Sequence, residues 1–251
     1  MHITVYGSSS GKTATKYLEP SQRFGELLAE RGHVCVNGAG RYGCMGALNV
    51  GVRNKNGKCI GVIHEMFLCE DEDTQITDLI VCSGETLAER KRLLAEKGDC
   101  IVVLPGGVGT LEETWEAISN RSMGLAGMER KPIILLNVDG FFDGTIQQIK
   151  RAGDDGLLYK TYAEYIYAES DPVAALDWIE HEVKSAKTRK VDGRKEARDV
   201  RLQDKVEADD RMATLGTVST FLSDFDVTSM LLGVSFCACA LIALKPFGVR
   251  L

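Results

Sequence analysis

Short apolar runs rich in β-branched residues alternate with longer, more polar segments along the first 183 residues of the chain. Runs of this length predict strands buried on both faces, at 3–6, 34–37, 59–63, 79–82, 100–104, 133–137 and 165–168. Segments between several of these runs predict helices, at 16–31, 85–97, 111–123, 143–153 and 171–183. Regular alternation of strand and helix predicts an α/β fold, Rossmann-like and doubly wound, with a mostly parallel sheet and helices on both faces.

Caps and breakers set the predicted helix ends. Gly32 follows the helix over 16–31 as its stop, and Pro20 is expected in the first turn or at a boundary. Ser83 is a candidate cap for the helix over 85–97. Asp171 followed by Pro172 predicts a capped helix with proline at its first position.

Three glycine-rich loops follow predicted strands and are expected to meet at one crevice, because parallel strands end at the same edge of a sheet. They cover 7–11, 38–46 and 105–109. The third joins a buried strand to a helix N-terminus, where free amides and the helix dipole attract a phosphate. No lysine follows its glycines, so this is not the GxxxxGK[ST] loop of triphosphate sites.

The other two loops have weaker signals. The loop over 7–11 is equally compatible with an ordinary strand-to-helix turn capped by serine. The loop over 38–46 superficially matches GxGxxG, but the acidic residue expected about 20 positions further on, at the end of the next strand, is missing. A dinucleotide site is therefore disfavoured.

Glu113 has two possible roles. Thr110 and Glu113 fit the T-x-x-E capping box, in which the glutamate bonds back to the cap amide. Alternatively, Glu113 lies close to a bound phosphate, where it orients water and stabilises positive charge on a ribose during glycosidic cleavage. The sequence leaves both roles open.

Arg90 and Lys91 lie on the helix predicted over 85–97, and they are also ambiguous. Cations on an exposed helix are usually solvated. Leu87 and Leu94 indicate, however, that one face of this helix is buried. A cation bordering that face can point into the crevice and bind a phosphate or a ribose hydroxyl.

Charge and cysteine content narrow the class of protein. The formal net charge of −6 argues against nucleic acid as the main partner. No CxxC pair occurs among the eight cysteines, so zinc and dithiol redox sites are poorly supported. Buried, reduced, intracellular thiols are the simpler interpretation. The N-terminus shows no signal-peptide pattern, and we expect a cytoplasmic location.

The chain beyond residue 183 has a different composition. Residues 184–226 begin with a run of mixed charge that fits a solvated helix or a disordered linker. Residues 227–244 carry no charge and are just long enough to span a bilayer, which needs about 20 residues. The segment 227–251 is thus either a C-terminal membrane anchor or an apolar element packed on the domain or a partner.

These motifs together resemble the LOG family, cytokinin riboside 5′-monophosphate phosphoribohydrolases that are often mislabelled lysine decarboxylases. The family signature PGGxGTxxE is matched in full from Pro105 to Glu113, and its Arg-Lys pair is matched by Arg90 and Lys91. The serine loop after the first strand, the glycine passage over 38–46 and the segment 135–143 also look like family segments. The resemblance covers residues 1–183, which we take as the catalytic domain.

The resemblance implies a homodimer that hydrolyses the N-glycosidic bond of purine nucleoside 5′-monophosphates, typically those of N6-substituted adenine. It implies no metal or organic cofactor. Arg90 and Glu113 would be the catalytic pair, with Glu113 engaging the ribose. The other implied binding residues are Gly106, Gly107, Gly109 and Thr110 for the 5′-phosphate, Gly7, Ser8, Ser9 and Met45 for the nucleotide pocket, and Lys91.

Three residues depart from the family pattern: Ala39 replaces a glycine, His64 a proline and Leu87 a methionine. These departures bear on base preference more than on the reaction. The alternative to the enzyme is a nucleotide- or cofactor-binding carrier on the same fold, without turnover.

Overall fold

The structure is a computed structural model, and it describes residues 1–68, 76–125 and 127–188, together with 205, 207–209 and 211–212. Within this part of the chain, seven strands form one sheet in the order β4-β3-β2-β1-β5-β6-β7. All six strand pairs are parallel. The strands are β1 His2–Tyr6, β2 Val34–Asn37, β3 Lys58–His64, β4 Asp78–Cys82, β5 Cys100–Val103, β6 Ile133–Leu136 and β7 Tyr167–Glu169.

Helices cover both faces of the sheet, as the apolar strands require. They are α1 Thr15–Glu30, α2 Gly43–Asn54, α3 Ala88–Lys97, α4 Val108–Met123, α5 Asp143–Asp154, α6 Tyr162–Tyr165 and α7 Pro172–Thr188. Side chains of α1, α2 and α7 form a buried cluster with one face of the sheet, exemplified by Phe24, Leu48 and Ile179. The opposite cluster contains Leu94 of α3, Ala117 of α4 and Ile149 of α5.

The predicted fold class is confirmed. The strands β2, β3 and β4 follow one another outward on one side of β1, and β5, β6 and β7 do so on the other side. The order in which the chain adds strands to the sheet therefore changes direction between β1 and β5. This reversal is the topological switch point of a doubly wound sheet, where a crevice opens beyond the carboxyl ends of the strands.

Several local predictions differ from the structure. Pro20 lies inside α1 beyond its first turn, which begins at Thr15, so its predicted place was wrong. The helix that carries Arg90 begins at Ala88 rather than 85, and Ser83 does not cap it. The short helix α6 was not predicted. The Asp171 cap is confirmed, because its Oδ1 accepts a hydrogen bond from the Ala174 amide at 2.8 Å.

The C-terminal predictions remain untested. Helix α7 continues to Thr188, five residues past the expected boundary at 183. Residues 201–251 form a separate unit, in which the structure describes a few helical residues between 205 and 212. The apolar segment 227–251 lies outside the described residues. Among the residues that are described, no helix is long and apolar enough to cross a membrane.

Candidate functional site

A crevice of about 540 Å³ lies beyond the carboxyl ends of the central strands. The glycine-rich loops after β1, β2 and β5 all reach it, as their positions in the sequence predicted. The predicted site residues that line it are Gly7, Ser8, Ser9, Met45, Arg90, Lys91, Gly107, Gly109, Thr110 and Glu113. Gly106 is the one predicted residue absent from this lining.

Ser8 joins the three loops through its main chain. Its amide donates a hydrogen bond to the Pro105 carbonyl at 3.0 Å, and its carbonyl accepts one from the Met45 amide at 2.9 Å. Met45 in turn accepts a hydrogen bond at its Sδ from the Gly40 amide, at 2.9 Å. Ser8 and Met45 therefore shape the crevice in addition to lining it.

Two buried amides support the loop after β2. Asn37 Nδ2 donates to Asn49 Oδ1 at 2.6 Å, and Asn49 Nδ2 donates to the Gly40 carbonyl at 3.2 Å. Asn37 Oδ1 accepts from the amide of Ala39, which has a φ of 59°. A left-handed alanine costs roughly 1–2 kcal/mol, and these bonds offset that strain. The role of the two asparagines was not predicted, although Asn37 directly precedes the loop.

The N-terminus of α4 lies at one end of the crevice. Gly107 is the residue before the helix, and no side chain caps its first amides. A Cβ placed on Gly107 or Gly109 would meet no atom within 4 Å, so both glycines border open space. Gly106 differs, because a Cβ there would lie 2.2 Å from Thr110 Oγ1. Gly106 thus allows Thr110 to pack beneath the loop while the other glycines leave room for a ligand.

Arg90 and Glu113 form a salt bridge inside the crevice. Arg90 Nη1 lies 2.9 Å from Glu113 Oε1, and the two side chains are only 11% and 12% exposed. Arg90 Nε also donates to the Val62 carbonyl at 3.1 Å. The guanidinium lies against the loop after β2, since a Cβ on Gly38 would come within 1.9 Å of Arg90 Nη2. Three elements therefore fix the orientation of this cation.

The capping-box interpretation of Glu113 is not what the structure shows. Helix α4 begins at Val108, so Thr110 lies inside the first turn and is buried. Glu113 pairs with Arg90 across the crevice. The pKa of Glu113 is raised, chiefly by burial, while the Arg90 charge works in the opposite direction. The site thus holds a partly desolvated carboxylate beside a helix N-terminus whose first amides no side chain caps.

Lys91 lies at the rim with both acidic neighbours on α4. Its Nζ is 2.5 Å from Glu112 Oε1 and 2.6 Å from Glu116 Oε2. These two hydrogen bonds raise the pKa of Lys91. Lys91 can bind a ligand directly only if it breaks its contact with Glu112 or Glu116.

One wall of the crevice is apolar. It follows β3, β4 and the start of α3, and its residues are Ile63, Phe67, Ile76, Leu79 and Leu87. Phe67 is 49% exposed, so this wall reaches the crevice mouth. This wall was not predicted, because its residues come from three separate segments of the chain.

Fold and site together define a class: a Rossmann-like α/β protein with a glycine-rich crevice at the switch point of its sheet. A family model described as possible lysine decarboxylase matches residues 45–179. A rice (Oryza sativa subsp. japonica) protein named probable cytokinin riboside 5′-monophosphate phosphoribohydrolase LOGL9 is 33% identical over 177 residues, 70% of this chain and 76% of the relative. A Mycobacterium tuberculosis protein named cytokinin riboside 5′-monophosphate phosphoribohydrolase is 34% identical over 163 residues, 64% of this chain and 84% of its own. The chain belongs to this family, the LOG family.

Solved structures share the fold at lower identity. The molybdenum cofactor binding protein of Rippkaea orientalis superposes with a TM-score of 0.55 at 22% identity, covering 72% of this chain and 95% of its own. The molybdenum cofactor carrier protein of Chlamydomonas reinhardtii gives 0.55 at 21% identity, covering 73% and 98%. At these identities the likeness concerns the fold alone.

Proposed function

We propose that this protein hydrolyses the N-glycosidic bond of purine nucleoside 5′-monophosphates, releasing the free base and ribose 5-phosphate. The observation that carries the proposal is the buried Arg90–Glu113 pair, 2.9 Å apart, beside the uncapped N-terminus of α4. A phosphate on that helix end puts the attached ribose next to a carboxylate. The family's named relatives support the same reaction.

The proposed phosphate site uses backbone amides more than cations. Gly107 directly precedes α4, and Gly109 and Thr110 belong to its first turn, where the helix dipole favours an anion. Gly106 leaves the space in which Thr110 packs beneath this loop. Arg90 and Lys91 already have carboxylate partners. Each therefore contributes less to phosphate binding than an unpaired cation would.

Glu113 acts on the ribose in this proposal. As the bond from C1′ to the base nitrogen breaks, its electron pair leaves with the base and positive charge grows on the sugar. The carboxylate stabilises that charge and orients a water molecule toward C1′. The water oxygen bonds to C1′ and one water proton ends on the base. Arg90 keeps the carboxylate ionised and oriented.

The remaining lining supports a purine with an apolar substituent. Gly7, Ser8, Ser9 and Met45 border the nucleotide, and the apolar wall near Ile76 and Leu87 suits an alkyl group. We therefore propose N6-substituted adenine nucleotides as the preferred substrates. We also propose a homodimer, which sedimentation of the purified protein tests.

The experiment measures base release by chromatography, using AMP and N6-isopentenyl-AMP with the purified full chain. We expect release from both, with the isopentenyl nucleotide preferred. Glu113→Gln and Arg90→Ala should each lose about 10²-fold or more in kcat. The matched controls are Glu89→Gln and Arg92→Ala, exposed residues of α3 that pair with each other and should change little.

Two outcomes would reject the enzyme. One is equal, slow release by wild type and Glu113→Gln. The other is tight nucleotide binding by calorimetry with no release at all, which would establish the carrier instead.

A further inference from the structure

His64 is a buried residue at the end of β3 that the proposed reaction does not use. It is 3% exposed, although every residue of the turn that follows, 65–68, is exposed. The loop before α3, residues 83–86, is exposed as well. Burial of apolar surface therefore contributes little to holding either segment, and their positions depend on specific hydrogen bonds.

The imidazole of His64 bonds to both of these segments. Its Nδ1 accepts a hydrogen bond from the Met66 amide at 3.2 Å, and its Nε2 lies 3.0 Å from the Gly84 carbonyl oxygen. An amide N–H can only donate and a carbonyl can only accept, so these partners assign the ring proton to Nε2. The neutral ring thus bridges the turn after β3 and the loop before α3.

The backbone of Gly84 is adapted to this contact. Its φ is 126°, a conformation that residues with a side chain rarely adopt. A Cβ at Gly84 would meet no atom of the described residues within 4 Å, so glycine is required by the backbone and not by space. The conformation that requires glycine is the one in which this carbonyl meets His64.

Each bridged segment carries a residue of the apolar wall of the crevice. Phe67 follows His64 by three positions, and Leu87 follows Gly84 by three. Both line the crevice, and so does Ile63, directly before His64. Because the ring ties the two segments together, it sets how far apart Phe67 and Leu87 lie.

His64 itself extends from a fixed part of the sheet. The carbonyl of Ile63 accepts a hydrogen bond from Cys82 Sγ at 3.3 Å. The carbonyl of Val62 accepts one from Arg90 Nε at 3.1 Å. The bridge therefore connects the apolar wall to the same strand end that holds Arg90.

We propose that His64 is a specificity-determining residue: by bonding to Met66 and Gly84 it holds the apolar wall at the spacing that receives an alkyl substituent on the base. This inference rests on the proposed function of the crevice as a nucleotide site. The family pattern has a proline at this position, and a proline side chain has no polar atom with which to form either bond. The bridge is thus a feature of this chain's own sequence.

The test compares N6-isopentenyl-AMP with AMP in His64→Asn. The side-chain oxygen of the variant can replace Nδ1 as acceptor for the Met66 amide, but the shorter side chain cannot reach the Gly84 carbonyl. We expect the ratio of kcat/KM for the isopentenyl nucleotide to that for AMP to fall about tenfold, the discrimination that roughly one methylene group supplies in an apolar pocket. Most of the loss should fall on the isopentenyl nucleotide.

Gly84→Ala breaks the same link from the other side, by straining the loop backbone, and should lower the ratio to a similar extent. The double variant should lose no more than either single variant, because both remove one contact. His33→Asn is the matched control. His33 is also largely buried and bonds to Glu180 at 2.7 Å, but it precedes β2 at the opposite edge of the sheet and does not line the crevice.

Thermal melting of each variant separates lost stability from lost preference. His33→Asn should lower the melting temperature and leave the ratio unchanged. A ratio that stays unchanged in folded His64→Asn and in folded Gly84→Ala would overturn the inference, as would additive losses in the double variant.

Calorimetric binding of the same two nucleotides keeps this inference separate from the enzymatic proposal. If wild type binds both but releases no base, the enzyme is rejected, and a tenfold fall in the ratio of the Kd values in His64→Asn still supports the role of His64. Base release with an unchanged ratio would reject the role of His64 and leave the enzyme standing. A wild type without preference for the isopentenyl nucleotide, in turnover and in binding, would also overturn the inference.

Discussion

Gly38→Ala tests whether the loop after β2 sets the position of Arg90. The new Cβ would lie 1.9 Å from Arg90 Nη2 and 3.1 Å from Arg90 Cζ. Backbone conformation at Gly38 is not in the left-handed region, so alanine introduces no strain there. The guanidinium is the end of a flexible side chain and can move away. We therefore expect a protein that still folds, destabilised by no more than the broken Arg90–Glu113 pair accounts for, and a large loss of activity.

The size of the loss follows from the displacement. Nη2 has to retreat by about 1.6 Å to reach an ordinary contact of roughly 3.5 Å. A shift of this size takes Arg90 Nη1 beyond hydrogen-bond distance of Glu113 Oε1, which now lies 2.9 Å away. A hydrogen bond between buried charged groups contributes about 1.5–3 kcal/mol, and tenfold in rate corresponds to about 1.4 kcal/mol. The expected loss in kcat/KM is therefore roughly 10- to 150-fold.

The assay compares four proteins: wild type, Gly38→Ala, Arg90→Ala and the double variant. Gly144→Ala is the control, because a Cβ at that helical position meets no atom within 4 Å. Once Arg90 is alanine, the nearest neighbour of the new methyl group outside residue 90 is Met45 Cε at 3.4 Å, an ordinary van der Waals distance. Gly38→Ala should then have almost no further effect. Equal losses in both backgrounds would refute this reasoning.

Three further predictions concern the same crevice. Gly109→Ala should weaken nucleotide binding, because its methyl group would enter the proposed phosphate space. It should also raise the melting temperature, because alanine is the better helix former, and a lower melting temperature would contradict this. The acidic limb of kcat/KM should lie above the ordinary glutamate pKa of about 4.3, since burial raises the pKa of Glu113, and higher still in Arg90→Ala; a limb at or below 4.3 would contradict it. Glu113→Ala should lower the free energy of unfolding by roughly 3 kcal/mol in urea titrations, because Arg90 is left buried without its partner. Adding Arg90→Ala should restore most of the lost stability, and additive losses in the double variant would argue against pairing.

The alternation of apolar strands and helices was sufficient to predict the fold. Each central strand is buried on both faces, and a parallel sheet covered by helices is the architecture that this burial requires. Helix ends were less predictable. Pro20 is tolerated beyond the first turn of α1, since the tertiary packing of Phe24 and Leu28 outweighs its local preference. The sequence signal for a cap at Ser83 likewise does not determine where α3 begins.

The candidate site was predictable where its residues belong to one motif. Loops at the carboxyl ends of parallel strands had to converge, so the glycines near 7, 38 and 107 were expected at one crevice. The apolar wall and the two asparagines were not found, because side chains such as Ile63 and Leu87 come together only through strand order.

The Thr110–Glu113 spacing shows why a local pattern alone could not decide the chemistry. A capping box requires that the helix begin at the threonine, but the glycines before it allow α4 to begin at Val108. Thr110 then turns inward against Gly106, and Glu113 lies one helical turn inside the helix, facing α3. Its partner is 23 residues away in sequence and was recognisable only as a cation near an apolar stripe. The same glycines that leave the first amides of α4 without a side-chain cap therefore also leave the glutamate able to pair with Arg90.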